Sequence, residues 1–374
     1  MKKSAHIIQT AVFICFIALF FILILVLPDR EFSQQENRYL EQAPSFSFQA
    51  LFEGDFTSDF ETYLSDQFPF RDSWVTLKAA CELAVGKKEN NGVYYCGDDT
   101  LITKFTAPDQ TLLTTNINAV NALAENAGVP VYFALIPGAA DIWRDKLPAN
   151  TDFISQKDII DSCYNNSQAI CVDVYSQLND HRGEDIYYRT DHHWTSLGAY
   201  YGYRALMNVM GQGEIKSLEE YDKETVSDSF LGTTYSSSGY SWTAPDKMDI
   251  YVRPYDGLEI VNYPEGVAVE GVLYDESYLE KKDKYSFFMG GNTPMMTIST
   301  GNEDKPSILI LRDSYMDSLT PFLLSEFSSI HILDLRYYRS SITSYIEEND
   351  LDSVLVCYSV DNFTTDRNIF LAGK

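Results

Sequence analysis

The chain has 374 residues, 45 % of them hydrophobic, with 54 acidic against 28 basic side chains and a net charge of −26. Binding to a phosphate backbone needs a basic footprint, and none is found, so nucleic acid is excluded as a partner and adhesion to an anionic surface is disfavoured. Roughly 345 residues follow the first apolar segment, enough for one large α/β domain or a domain carrying a sizeable insertion.

The first element is the apolar run Ile7 to Leu27, interrupted by nothing more polar than Gln9 and Thr10. At 1.5 Å rise per residue it is long enough to cross a hydrocarbon core of roughly 30 Å. A cleaved signal peptide is the rival reading, but Pro28-Asp29-Arg30-Glu31 replaces the small-residue cleavage site. Lys2 and Lys3 precede the run, so a cytoplasmic amino terminus and an extracytoplasmic remainder are expected. This divides the chain into a cytoplasmic start and transmembrane anchor at 1–28, a juxtamembrane segment at 29–92, and an α/β domain at 93–374.

Leu113, Ile117, Val120 and Ala124 recur at helical spacing, and after Gly128 the run Val129 to Ile136 reads as a buried strand. The alternation returns in Ala169 to Val174, the helix-like Leu197 to Met210, strand Ser307 to Leu311, and a closing helix and strand at 341–348 and 353–358. This pattern predicts a mainly parallel sheet flanked by helices. Between about 211 and 301 the stretches become shorter and β-rich, for example Gly257-Leu258-Glu259-Ile260-Val261 and Gly271-Val272-Leu273-Tyr274, which predicts an inserted β-rich segment. Within it, residues 232–242 read as a flexible, aromatic loop able to touch a sugar.

Six cysteines, Cys15, Cys81, Cys96, Cys163, Cys171 and Cys357, form no CxxC pair. A local Cys163–Cys171 disulfide and isolated buried thiols both remain open.

The chemistry is concentrated in two places. Arg189-Thr190-Asp191-His192-His193-Trp194-Thr195-Ser196 holds two of the five histidines beside a carboxylate, and Leu311-Arg312-Asp313-Ser314-Tyr315 puts a serine just after a strand, where open α/β sheets place their sites. A serine hydroxyl becomes a nucleophile when an imidazole takes its proton, and a carboxylate fixes that imidazole's tautomer. On an extended segment Asp191 and His193 share one side and His192 points to the other, which makes His193 the base and gives His192 a structural role. Thr195 or Ser196 caps the next helix, whose positive end favours a neutral His193. Thr320-Pro321 reads as a helix start, leaving Ser314 in the intervening turn. A Ser after a strand is also ordinary turn or capping chemistry. The paired histidines are candidates for a metal, but no HExxH-like spacing supports one and no metal ligand is assigned.

The Asp-His-His-Trp run at 191–194, together with Ser33-Gln34-Gln35-Glu36-Asn37-Arg38-Tyr39-Leu40 and Pro44, resembles the bacterial DHHW family over nearly the whole chain. The resemblance extends to SGNH hydrolase-like O-acetyltransferases of alginate modification, in which the Asp-x-His-Trp motif precedes the serine, a circularly permuted order relative to ordinary SGNH esterases. It implies Asp191 as orienting acid, His193 as base and Ser314 as nucleophile. It further implies an exported polysaccharide as acceptor and a membrane-bound O-acyltransferase partner that supplies acetyl groups. Alginate itself is not implied, because Ile136-Pro137-Gly138-Ala139-Ala140 lacks the basic residue that those enzymes carry after the proline. For the oxyanion, the Ser314 N–H, Gly291 and Asn292 are the candidate donors. Trp194, Tyr235 and Tyr315 are candidates for stacking on sugar rings, although large aromatics more often supply core area.

The expectation is therefore a membrane-anchored, extracytoplasmic O-acetyltransferase of a cell-surface glycan that needs no metal or diffusible cofactor. The alternatives are a carbohydrate esterase, in which water replaces the sugar hydroxyl, and a non-catalytic glycan-binding envelope scaffold.

Overall fold

A long central sheet organises the fold because its three innermost strands are buried at every position and apolar at nearly all of them. The computed structural model describes residues 2–211 and 215–374; Met1 of the expected anchor and residues 212–214 of the expected insertion lie outside them. The chain separates into two compact units, Met1–Asn91 with Ser236–Trp242, and Gly92–Tyr235 with Thr243–Lys374.

The first unit begins with helix α1 (Lys2–Val26). Its stretch Ala5–Val26 is long and apolar enough to cross a membrane, and a signal sequence near an amino terminus has the same character. Helices Phe48–Glu53, Asp55–Asp66 and Arg71–Ala84 follow. The Ser33–Leu40 motif serves local order here: Arg38 forks onto the buried Asp66 at 2.7 and 2.6 Å and reaches Glu36 at 2.7 Å. Such bidentate, charge-assisted pairs are the strong ones, and hydrogen bonding from Arg38 lowers the Asp66 pKa despite burial.

In the second unit, helix α2 (Gln110–Asn126) leads into strand β1 (Val131–Ile136), and β2 is Ile170–Val172. Helix α3 (Ser196–Met210) follows the Asp-His-His-Trp segment. Strands β3 (Asp222–Phe230) and β4 (Asp246–Val252) form a separate antiparallel pair. Then come β5 (Glu259–Asn262), β6 (Val269–Glu270), β7 (Met295–Ser299), β8 (Ser307–Arg312), helix α4 (Tyr315–Leu323), β9 (Ser329–Leu333), helix α5 (Ile342–Glu348) and β10 (Val354–Ser359).

The sheet order is β6-β5-β7-β9-β8-β10-β1-β2. The five strands β9, β8, β10, β1 and β2 are parallel, whereas β7, β5 and β6 extend the sheet antiparallel on one side. The fold is thus mixed α/β rather than purely parallel. Half of the expected insertion pairs into the main sheet, because the edge of β9 offers unpaired backbone groups that β7 satisfies in register from Met295–Leu333 to Ser299–Ser329. Gly271-Val272-Leu273-Tyr274 is not a strand; within it only Tyr274 makes an isolated bridge, to Phe288.

Alternation along the central strands builds two cores. Tyr132, Ala134, Ile136, Ile308, Ile310, Leu355 and Cys357 face one side with Leu206, Met316, Leu319 and Phe322 of α3 and α4. Val131, Phe133, Leu135, Leu309, Leu311, Val354 and Val356 face the other with Leu113, Ile117 and Val120 of α2 and Ile342 and Ile346 of α5. Side chains two apart share a face, so each apolar strand seals both layers at once. All six cysteines are free thiols.

Candidate active site

Strand β8 ends at Arg312, and the turn after it is fixed by Asp313. Its Oδ1 accepts the Tyr315 N–H at 3.0 Å, while Oδ2 accepts the Ser359 N–H and hydroxyl, both at 2.7 Å, and Asn362 Nδ2 at 2.8 Å. This buried carboxylate ties the end of β8 to the end of β10 and starts helix α4 at once. Pro321 therefore lies inside that helix instead of opening it. Ser314 occupies the N-cap position, yet its hydroxyl makes no capping bond.

That hydroxyl goes to His193, with Nε2 and Oγ 2.7 Å apart, and His193 Nδ1 stands 2.6 Å from Asp191 Oδ1. A carboxylate only accepts, so Nδ1 carries the proton, Nε2 is the acceptor, and Ser314 donates. Asp191 and His193 are 3 % and 4 % exposed. Burial pushes the Asp191 pKa up, but the adjacent imidazoles of His192 and His193 and the bonds from His193 and Thr233 outweigh it and hold the group well below the usual carboxylate range.

The local geometry differs from an extended strand. Residues 189–193 form a bend closed by the Tyr187–Trp194 bridge, and Asp191 Oδ1 also accepts the His193 backbone N–H at 3.0 Å. An Asx turn therefore joins acid and base. For the same reason His192 does not point away: its ring lies 3.8 Å from that of His193, and its Nδ1 is 2.6 Å from Thr233 Oγ1. Thr233 gives its own hydroxyl proton to Asp191 Oδ2 at 2.9 Å and its N–H at 2.7 Å, so His192 Nδ1 donates to Thr233. Gly232 is required beside it, since a Cβ there would stand 2.2 Å from Asp191 Oδ2.

Asp191, His192 and His193 place one donor atom each within 4.8 Å of one another. Both nitrogens of His193 and both oxygens of Asp191 are already hydrogen-bonded, so a metal there would compete with the Ser314 relay.

Tyr285 covers the imidazole of His193, ring on ring at 3.6 Å, and its hydroxyl lies 3.2 Å from the Ser314 carbonyl and 3.1 Å from Ser318 Oγ. Neither Tyr285 nor Thr233 carries a local sequence signal, although Thr233 falls in the loop singled out above. That stretch is not simply a loop: Thr233–Ser238 is helical.

The three aromatic candidates for sugar stacking are buried and are corrected here. Trp194 is 0 % exposed and donates to the Tyr315 carbonyl at 2.9 Å, with Gly202 packed against its ring. Tyr315 is 2 % exposed and donates to the His192 carbonyl. Tyr235 is 9 % exposed, with Lys282 Nζ 4.8 Å over its ring. All three build the site's walls and offer no face to a ligand.

Asn292 is exposed, and its Oδ1 accepts from Arg312 and Arg336, each at 3.1 Å. Arg312 closes β8 two residues before Ser314, so the carboxamide is anchored at the carboxyl end of that strand. Gly291 is buried, with φ +89°. The Ser314 N–H has no acceptor among the described residues.

The sequence pattern of the DHHW protein family matches residues 83–333. The chain belongs to the DHHW family. A DHHW family protein from Eubacterium siraeum DSM 15702 shares the fold, with 27 % identity over 76 % of this chain and 95 % of that one, at a TM-score of 0.65. Bacillus cereus PatB1, in a structure with a sulfonyl adduct, is 22 % identical over 74 % of this chain and 97 % of that one, at a TM-score of 0.64. The O-acetyltransferase domain of Pseudomonas putida AlgJ is 14 % identical over 74 % of this chain and 93 % of that one, at a TM-score of 0.49. No curated protein matches the chain in sequence. In this DHHW protein the name-giving residues divide their labour: Asp191 and His193 meet Ser314, His192 joins them through Thr233, and Trp194 is core.

Proposed function

We propose that this DHHW protein is a membrane-anchored, extracytoplasmic O-acetyltransferase of a cell-surface polysaccharide, with an SGNH-like site in circularly permuted order. The observation that carries the reading is the continuous relay from Asp191 through His193 to Ser314, at 2.6 and 2.7 Å. A scaffold has no use for a serine hydroxyl withheld from the helix it could cap.

In this reading Ser314 Oγ attacks the carbonyl of an acetyl ester while His193 Nε2 takes its proton. Asp191 holds the imidazole in the Nδ1–H tautomer and stabilises the cation that forms. The Ser314 N–H, with Asn292 as a further donor and Gly291 only once its N–H leaves the Phe288 carbonyl 3.4 Å away, receives the oxyanion; one such donor is worth about 3 kcal/mol. Collapse expels the donor alcohol, which takes the proton from His193, and leaves acetyl-Ser314. A sugar hydroxyl then loses its proton to His193, attacks the acyl carbon, and leaves acetylated with Ser314 restored. The chain's own residues complete both half-reactions, and a membrane-bound O-acyltransferase is the proposed acetyl source. Lys2 and Lys3, which open α1 ahead of its apolar stretch Ala5–Val26, support an amino terminus on the cytoplasmic side.

The test gives the purified protein an activated acetyl ester together with glycan oligomers. Acetylated sugar that disappears in Ser314→Ala supports the transferase. Free acetate alone makes the protein an esterase, and glycan binding with no Ser314-dependent turnover makes it a scaffold.

A further inference from the structure

The segments that follow β1 and β2 leave the sheet at the same carboxyl edge as Ser314. From β8 to β1 the order runs through β10 alone, two strand spacings or about 10 Å of sheet. Between those segments lies a cavity of about 500 Å³ whose lining includes Asp141, Arg144, Phe153, Tyr175 and Arg182. The Arg144 guanidinium lies 3.9 Å over the Phe153 ring. The Arg182 guanidinium donates to Asn179 Oδ1 at 3.3 Å and to no other side chain among the described residues.

Neither arginine forms an ion pair among the described residues, in contrast to Arg189, Arg312 and Arg336. Asp141 makes no direct pair with either, since Oδ1 accepts the Tyr175 hydroxyl at 2.8 Å and Oδ2 accepts the N–H groups of Gln156 and Lys157. Asp145 shares the lining, so the formal charges cancel. Selectivity must then come from directed donors: a stacked guanidinium presents its N–H edge in a fork that fits a carboxylate or phosphate.

We propose that this cavity is a subsite for an anionic group, a carboxylate or a phosphate, on the acceptor glycan, which deepens and rests on the transferase reading above. Phe153 and Tyr175 supply flat walls for the sugar that carries the group, and Arg144 and Arg182 hold its charge, so that the chain runs along the sheet edge toward Ser314. The acceptor class is thereby narrowed to polyanionic polysaccharides.

Full-length protein in nanodiscs is titrated with tetragalacturonate, with its fully methyl-esterified form, and with a glycerol phosphate tetramer. At least one charged tetramer should bind ten-fold or more tightly than the neutral ester, and which one does so identifies the group. The double variant Arg144→Gln/Arg182→Gln should lose that preference while still being acetylated at Ser314 by p-nitrophenyl acetate. Equal binding of charged and neutral tetramers, no binding of any, or a preference that survives in the double variant overturns the subsite. Failure of the wild type to acetylate at Ser314 overturns the transferase reading instead, and is read separately from binding.

Discussion

Tyr285 lies flat on His193, with ring centroids 3.6 Å apart and planes 4° from parallel. The contact fixes the rotation of an imidazole that must face Asp191 at one nitrogen and Ser314 at the other. Tyr285→Phe keeps the stack and loses the hydroxyl's contacts with the Ser314 carbonyl and Ser318 Oγ, neither of them a reacting atom, so kcat/KM for an activated ester should fall less than about tenfold. Tyr285→Leu removes the flat face as well, and ring-pair energies of about 0.5–1.5 kcal/mol should add a further loss of about two- to tenfold. Full activity in a folded Tyr285→Leu protein would count against this role.

Thr233 is the second support, since it fills Asp191 Oδ2 with both its N–H and its hydroxyl. Thr233→Val keeps the backbone N–H on Asp191 Oδ2 but deletes the hydroxyl, and with it both the bond given to Asp191 and the bond accepted from His192 Nδ1. Bonds to charged groups are worth about 1.5–3 kcal/mol, so kcat/KM should drop about ten- to hundredfold with little change in thermal midpoint. A drop of less than twofold in steady-state assays would remove Thr233 from the account.

A third expectation concerns stability and pH at His331 in β9, whose Nδ1 lies 2.8 Å from the Tyr345 hydroxyl. Burial lowers its pKa to about 4, against about 6.5 in the unfolded chain. Between these values the unfolded state binds more protons, so stability rises with pH through the window and is lost as pH falls from about 6.5 toward 4. Urea midpoints at about pH 7 and pH 4.5 should therefore drop further for the wild type than for His331→Gln. Parallel drops in the two proteins would show that His331 does not titrate in this way.

The central strands were legible because Val131–Ile136, Ile308–Leu311 and Val354–Tyr358 are near-continuous apolar runs, a pattern that strands buried on both faces require. How the edge joins the sheet was not, since β5, β6 and β7 are only partly buried or exposed, and β7 pairs with β9, which lies beyond β8 and α4 in sequence. Pro321 misled as a helix start because the real start is set by Asp313, whose partners Ser359 and Asn362 come from another strand end. Asp191, His193 and Ser314 were found by chemical type, yet strand alternation gave the wrong direction for His192, because an Asx turn bends that segment. Tyr285 was invisible for a simpler reason: among 26 tyrosines nothing local marks the one that covers an imidazole.

The central claim is that Ser314 is a nucleophile primed by His193, and peptide mass spectrometry after brief exposure to p-nitrophenyl acetate tests it most directly. One acetyl group should appear on the peptide that holds Ser314. It should be absent in Ser314→Ala, form slower by about 10²–10⁴ in His193→Ala, and form about 10⁴ slower in Asp191→Asn, where the tautomer is wrong. His192→Ala should retain labelling. Acetylation elsewhere with Ser314 unmodified, or equal labelling in wild type and Ser314→Ala, would contradict the account.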